Sequence, residues 1–272
     1  MNNFNFGEVL THAWKNIWKQ KTIWLFSALS ILNQWIFSFQ IKPESKLLGG
    51  LLSLGVFLIY IILFYISLIG VPYLAYTFSI GKVATVQETL LAVRKLLGRV
   101  IDCSCLGFIL IIPLALVALA ISRNDSAQTV HMFDKVILLL LPISLFSALW
   151  DFSLFGFFAN DWGIRQSLKN AWALFTSHFS VLAILGISGA IIIRIYSTAF
   201  GILAVLFQSG FDITSLAALN YINPAASLSK NILFAILNGI GGVIFTAFFT
   251  SVFVLAYLKY SGAKEPSPVR QK

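Results

Sequence analysis

Two ionisable side chains, Arg194 and Asp151, fall inside strongly apolar runs, where a charge is costly to keep. Arg194 lies near the middle of the run from His178 to Phe207, at a cost of ~2.5 kcal/mol or more for an arginine at the centre of a membrane helix. A charge retained there either faces a substrate or proton path or fixes packing through a buried pair. At 100° per residue, Ala183, Gly186, Ala190, Arg194, Ser197, Gly201 and Ala204 share an arc of about 80°. Small residues on one stripe let helices approach closely, so Arg194 is expected to face protein or an internal cavity. Asp151 shares a face with Ser144, Ser147 and Ala148 and is the first candidate partner. Counted from the inner helix ends, the two charges differ in depth by about 12 Å at 1.5 Å per residue. Asn238 and Thr246, on the Asn231, Ala235, Gly242 face of the last apolar run, are alternative neighbours. The candidate ligand-binding residues are therefore Arg194, Asp151 and Asn238, with Ala183, Gly186, Ala190, Ser197 and Gly201 as a packing face. Asp102, at the start of a span, can simply reach the interface.

Other reactive groups lead nowhere catalytic. Gly186-Ile187-Ser188-Gly189 matches the GxSG pattern of rhomboid-type intramembrane proteases, over four residues. That chemistry needs a histidine on a later span, whereas His12, His131 and His178 all precede Ser188. Cys103 and Cys105 are two apart on one helix, about 200° apart in direction, and can neither pair nor share a metal; a buried structural role is expected. There is no H-E-x-x-H, G-x-S-x-G, P-loop or G-x-G-x-x-G. No enzyme activity, cofactor or metal is expected.

The surrounding chain explains the setting of these residues. With 58% hydrophobic and 11% charged residues and a mean hydropathy of +0.88, it reads as a polytopic membrane protein. In its 272 residues, six spans of about 20 residues or more leave no room for a separate soluble domain. The net charge of +9 is scattered over loops beside apolar runs, which points to membrane orientation and away from nucleic acid.

Phe4 to Gln20 predicts an amphipathic helix, with Phe6, Leu10, Ala13, Trp14 and Ile17 opposite Glu8, His12, Lys15 and Lys19. The apolar run Thr22 to Gln40 is read as a span and not as a signal peptide, because Asn33-Gln34 interrupts it and no small-x-small site follows. Leu47 to Ile80 is a second span, long enough to tilt, with a kink or an end expected at Pro72. A second amphipathic helix, Thr85 to Arg99, leads to spans at Val100–Ser122 and Val136–Ala159. A third, Gly163 to Ser177, leads to spans at His178–Phe207 and Asn231–Tyr260. Leu10, Leu90 and Leu168 align at offsets of 80 and 78 residues, carrying Ala13-Trp14 onto Val93-Arg94 and Ala171-Trp172. The fold class is thus all-α: six transmembrane helices in three repeats, about 4–80, 84–160 and 163–260, each opened by an interfacial helix. Residues 1–260 form one membrane domain, and 261–272 a disordered tail.

Of the 19 Lys and Arg, a cytoplasmic N-terminus puts thirteen inside and five outside. The positive-inside rule then places both termini and all three interfacial helices on the cytoplasmic side. Units with the same orientation can be related by rotation about the membrane normal.

The opening Phe6-Gly7-Glu8-Val9-Leu10 with Ala13-Trp14, followed by a span, resembles uncharacterised bacterial multipass proteins related to the membrane domain of glycerophosphoryl diester phosphodiesterases. The catalytic domain of that family has no counterpart here, so its activity does not transfer. The three-by-two layout also resembles mitochondrial carriers, but their P-x-[DE]-x-x-[KR] signature is missing. The expected function is a non-enzymatic membrane scaffold or accessory protein whose partners are the lipid bilayer and a membrane protein or a second copy. The alternative is a carrier of a small anionic or lipid-like solute using Arg194.

Overall fold

The computed structural model describes residues 5–38, 46–123, 149–208 and 232–261. Within these, the side chains of 33–52, 106–123 and 232–238, and several between 190 and 208, lie outside the described set. The loops expected at 123–135 and 208–230 and the tail fall almost wholly outside it too. Every regular element among the described residues is a helix: α1 (Phe6–Lys19), α2 (Lys21–Ser38), α3 (Lys46–Ser79), α4 (Val86–Arg123), α5 (149–160), α6 (Ile164–Ser177), α7 (Phe179–Gln208) and α8 (Ile232–Ser261).

Local chemistry sets where these helices begin. Asn5 caps α1, its Oδ1 accepting from the Glu8 amide at 3.3 Å, with Glu8 in the first turn and Lys19 in the last. Thr85 and Glu88 bond reciprocally at the start of α4, Thr85 N to Glu88 Oε2 at 2.7 Å and Glu88 N to Thr85 Oγ1 at 3.2 Å. Gly163 precedes α6 with extended backbone and no side-chain cap. These three positions are again 80 and 78 residues apart.

The match continues into burial. Val9, Thr89 and Ser167 are buried, as are Ala13, Val93 and Ala171, while Leu10, Leu90 and Leu168 are 38%, 44% and 37% exposed. Trp14 and Trp172 are also exposed, and Arg94 takes their place in α4. The single apolar arc expected for each amphipathic helix is therefore two arcs, one against protein and one facing outward.

α1 and α6 are each 14 residues long, and their C-caps, Gln20 and His178, bond to Asn16 O and Leu174 O. In α1 the joint is held by Trp24 Nε1, which donates to Ile17 O at 2.7 Å, and by Gln20 Nε2, which donates to Ala84 O at 3.3 Å. At the α6 joint, His178 stacks on Tyr260 at 3.8 Å, and the chain turns through 95° into α7. α4 differs from expectation: it runs unbroken past Arg99. At the same offset of 80, Val100 and Ser104 stand where Gln20 and Trp24 stand, Val100 buried with no side-chain donor and Ser104 donating to Val100 O of its own helix. Neither makes the cross-joint bonds that Gln20 and Trp24 make, and the helical ladder continues. α3 likewise runs through Pro72 without ending.

Three helices meet pairwise at the end of the molecule where α1 and α6 lie. Tyr73 and Tyr76 of α3 pack on Phe158 of α5 at 5.8 and 6.4 Å, and Phe152 and Phe155 of α5 on Tyr257 of α8 at 5.6 and 5.4 Å. α3 also packs along α8. Around this triangle, α2 lies against α3 and α8, and α4 against α3 and α5. α1 packs on α8, and Ile164 and Ser167 of α6 pack on α5. Gly70 makes the α2–α3 contact possible, since a Cβ there would collide with the Phe26 ring.

Among the described residues, two helices are long and apolar enough to cross a membrane, Ser53–Ser79 and Gly239–Ser261, or three if the bent pair from Ile164 to Gly189 counts as one span. On α3, Leu54, Leu58, Ile59 and Ile62 stand 51–58% exposed along the outer half, a contiguous apolar surface suited to lipid. The described residues are thus all-helical, and their apolar helices mark a membrane protein.

Candidate functional site

Arg194 falls within α7, and Asn238 within α8, but their side chains lie outside the described set, as do those of Ala190, Ser197 and Gly201. The described part of α7 packs through Leu182, Leu185, Gly186 and Gly189, with Ala183 half-buried at the edge and Ile184, Ile191 and Ile195 outward. Gly189 brings the two backbones together: a Cβ there would meet the Phe249 ring of α8 at 3.1 Å. The reciprocal device on α8 is Gly241, over which Tyr196 lies too closely to admit a side chain. Neither Gly189 nor Gly241 was singled out by the small-residue stripe. Spacing shows which residues share an arc, but only the partner's aromatic rings show which glycines are covered.

Asp151 lies in α5, half-buried, beside the fully buried Phe152, Ser153, Leu154 and Phe155. It makes no ion pair among the described residues. Ser188 donates its hydroxyl to Ile184 O of its own helix, which is ordinary back-bonding for a helical serine. Cys103 is buried and Cys105 exposed, so the structural role expected for both applies to Cys103 alone. No group of three or more His, Cys, Asp or Glu that could hold a metal occurs among the described residues.

The centre of the α3, α5, α8 triangle is filled. Phe152, Phe155 and Tyr257 are each fully buried, and Tyr73, Tyr76 and Phe158 complete the packing. Edge-to-face and tilted rings at these separations fill the space and bind the helices. This end of the bundle therefore contains packing where a conduit would need polar lining.

Chemistry is concentrated instead at the periphery. Trp14 and Trp18 of α1 are 47% and 55% exposed and lie edge to face at 5.8 Å. Trp14 abuts Phe248 of α8 at 6.0 Å, and Trp18 abuts Trp24 of α2 at 5.2 Å. These rings form one aromatic ledge across three helices. Lys15, Lys19 and Lys21 are exposed, and none takes part in an ion pair among the described residues.

A second charged group joins α4 to the turn before α6. Asp161 accepts from Arg99 Nη1 at 2.7 Å and lies 3.3 Å from Lys95 Nζ. Hydrogen bonds from Arg99 and then Lys95 hold its carboxyl below the usual carboxylate range. Its φ of 52° is left-handed, a conformation in which Asp is among the commoner non-glycine residues. Glu88 is also held low, by its bonds to the Thr85 backbone and hydroxyl. With this geometry in hand, comparison with protein-family models, curated proteins and solved structures finds no match to the chain.

Proposed function

We propose that the protein is a non-enzymatic membrane scaffold or accessory protein, built from three units of an amphipathic helix and two spans. The observation that carries this reading is the contrast between a centre closed by Phe152, Phe155 and Tyr257 and a periphery that displays aromatic and basic side chains. A protein that works through its outside fits that distribution. The shared cap positions and shared burial of α1, α6 and the start of α4 support three units. In this reading the units have the same orientation and both termini are cytoplasmic, as the distribution of Lys and Arg implies, and the membrane is a bacterial inner membrane, as the resemblance implies.

A carrier for a small anionic or lipid-like solute is the second reading, favoured by Asp151, a half-buried carboxylate in a membrane helix with no ion-pair partner among the described residues. Native mass spectrometry after extraction in polymer nanodiscs separates the two. A stoichiometric protein partner or self-oligomer, retained in Arg194→Ala, is the scaffold outcome. A small solute retained by the native protein and lost in Arg194→Ala, with the fold intact, is the carrier outcome and would overturn the first reading.

A further inference from the structure

We infer that the α1 ledge is a binding site for an anionic phospholipid headgroup, formed by Trp14 and Trp18 with Lys15, Lys19 and Lys21. This rests on the lipid-engaging part of the proposed function and gives it a place and a charge.

The argument begins with the three faces of α1. Val9, Ala13 and Ile17 point into the core at 7%, 0% and 0% exposure, so the helix has no freedom to roll. With that face fixed, the 3.6-residue period sends Leu10, Trp14 and Trp18 to one side and Lys15 and Lys19 beyond them. The rings are held as well: Trp14 lies against Phe248, and Trp18 against a Trp24 whose indole is tied to Ile17 O. Packed aromatic rings beside exposed lysines suit the headgroup level, where indoles have one apolar and one wet end.

Charge balance selects the headgroup. Lys95 and Arg99 share the carboxylate of Asp161, whereas Lys15, Lys19 and Lys21 have no ion-pair partner among the described residues. Glu8 is the acid of α1, and it lies two turns from Lys15, at the far end beside the Asn5 cap. The net positive edge calls for an anion, and the adjoining apolar ledge calls for an acyl chain. An anionic phospholipid carries both on one molecule. α6 offers a control within the same chain: it repeats Trp172 at the place of Trp14 but has Thr176 at the place of Trp18 and Ala173 at the place of Lys15.

The test reconstitutes the full chain in phosphatidylcholine bilayers containing a minor fraction of brominated phosphatidylglycerol, and reads quenching of tryptophan fluorescence. The same fraction of brominated phosphatidylcholine is the reference. The proposal expects stronger quenching by the anionic lipid, with the excess removed by Trp14→Phe with Trp18→Phe. Replacing Lys15, Lys19 and Lys21 together by Gln should weaken the apparent preference by about fivefold per lysine, and Lys→Arg at the same positions should restore it. Far-ultraviolet dichroism and elution volume establish that each variant remains folded. Retention of the full preference in the Lys→Gln variant would overturn the site while leaving lipid engagement elsewhere. Equal quenching of the native protein by both lipids would overturn the site and the lipid-engaging reading together.

Discussion

Asp161 ties together two parts of the chain 62 residues apart through Arg99. Because its carboxyl is held below the ordinary value of 3.8, its contribution to stability is complete above that pH and is lost as pH falls through the lower folded value. Neutral to mildly acidic conditions should leave the tie intact, and loss should begin only below about pH 4. Asp161→Asn should remove this part of the acid response and leave the melting temperature in detergent nearly unchanged at neutral pH, since exposed pairs contribute little. A native protein whose α4–α6 contact loosened near pH 6 would contradict the assignment. Gly70→Ala makes a larger demand, because the Phe26 ring occupies the space of the new methyl. It should destabilise by about 1–3 kcal/mol, with partial recovery in the double variant with Phe26→Leu, as measured by denaturation in mild detergent. Neither site was legible in the sequence. A pair at long separation leaves no spacing signal, and Gly70 read as part of a kink because Pro72 follows it.

At the level of elements, most boundaries were legible because they are set by local chemistry. The amphipathic stretch predicted at 163–177 is α6 within one residue at each end, and the runs predicted at 47–80 and 178–207 match the end of α3 at Ser79 and the start of α7 at Phe179 within one residue. Thr85→Ala removes a cap that α4 uses and should cost about 1 kcal/mol of stability, whereas Thr85→Asn should cost less. The division of each apolar arc was not legible. Periodicity shows that Ala13 and Trp14 share a side, but it does not show that a neighbouring helix covers one and leaves the other exposed. Ala13→Leu should therefore destabilise by about 1–3 kcal/mol through overpacking, while Trp14→Leu should leave the fold intact. Equal losses from the two, read by thermal denaturation, would mean that the two arcs are not distinct. The unbroken α4 was missed for a related reason. The change from a two-faced pattern to an apolar run at Val100 reads as a joint, but a helix closes only where something satisfies its last carbonyls.

For the whole molecule, the contacts follow a cycle. α1 packs on α8, the start of α4 on α3, and α6 on α5, so each amphipathic stretch lies on a helix from another part of the chain. The first and last helices are thereby joined, and α1 is part of the core as well as a surface element. The repeat offsets pointed towards such an arrangement, but the order of packing around the centre depends on contacts that one-dimensional spacing does not encode. Six crossings with all three amphipathic helices on one side is the claim on which the proposed scaffold depends. The most direct test is cysteine accessibility in sealed vesicles, after replacing Cys103 and Cys105, with single cysteines at Lys15, Lys46, Lys82, Arg165, Lys230 and Lys272. The expected result is labelling of Lys15, Lys82, Arg165 and Lys272 positions from the cytoplasmic side only, and of Lys46 and Lys230 positions from the opposite side only. Labelling of the Lys15 and Arg165 positions from opposite sides would contradict the three-unit architecture.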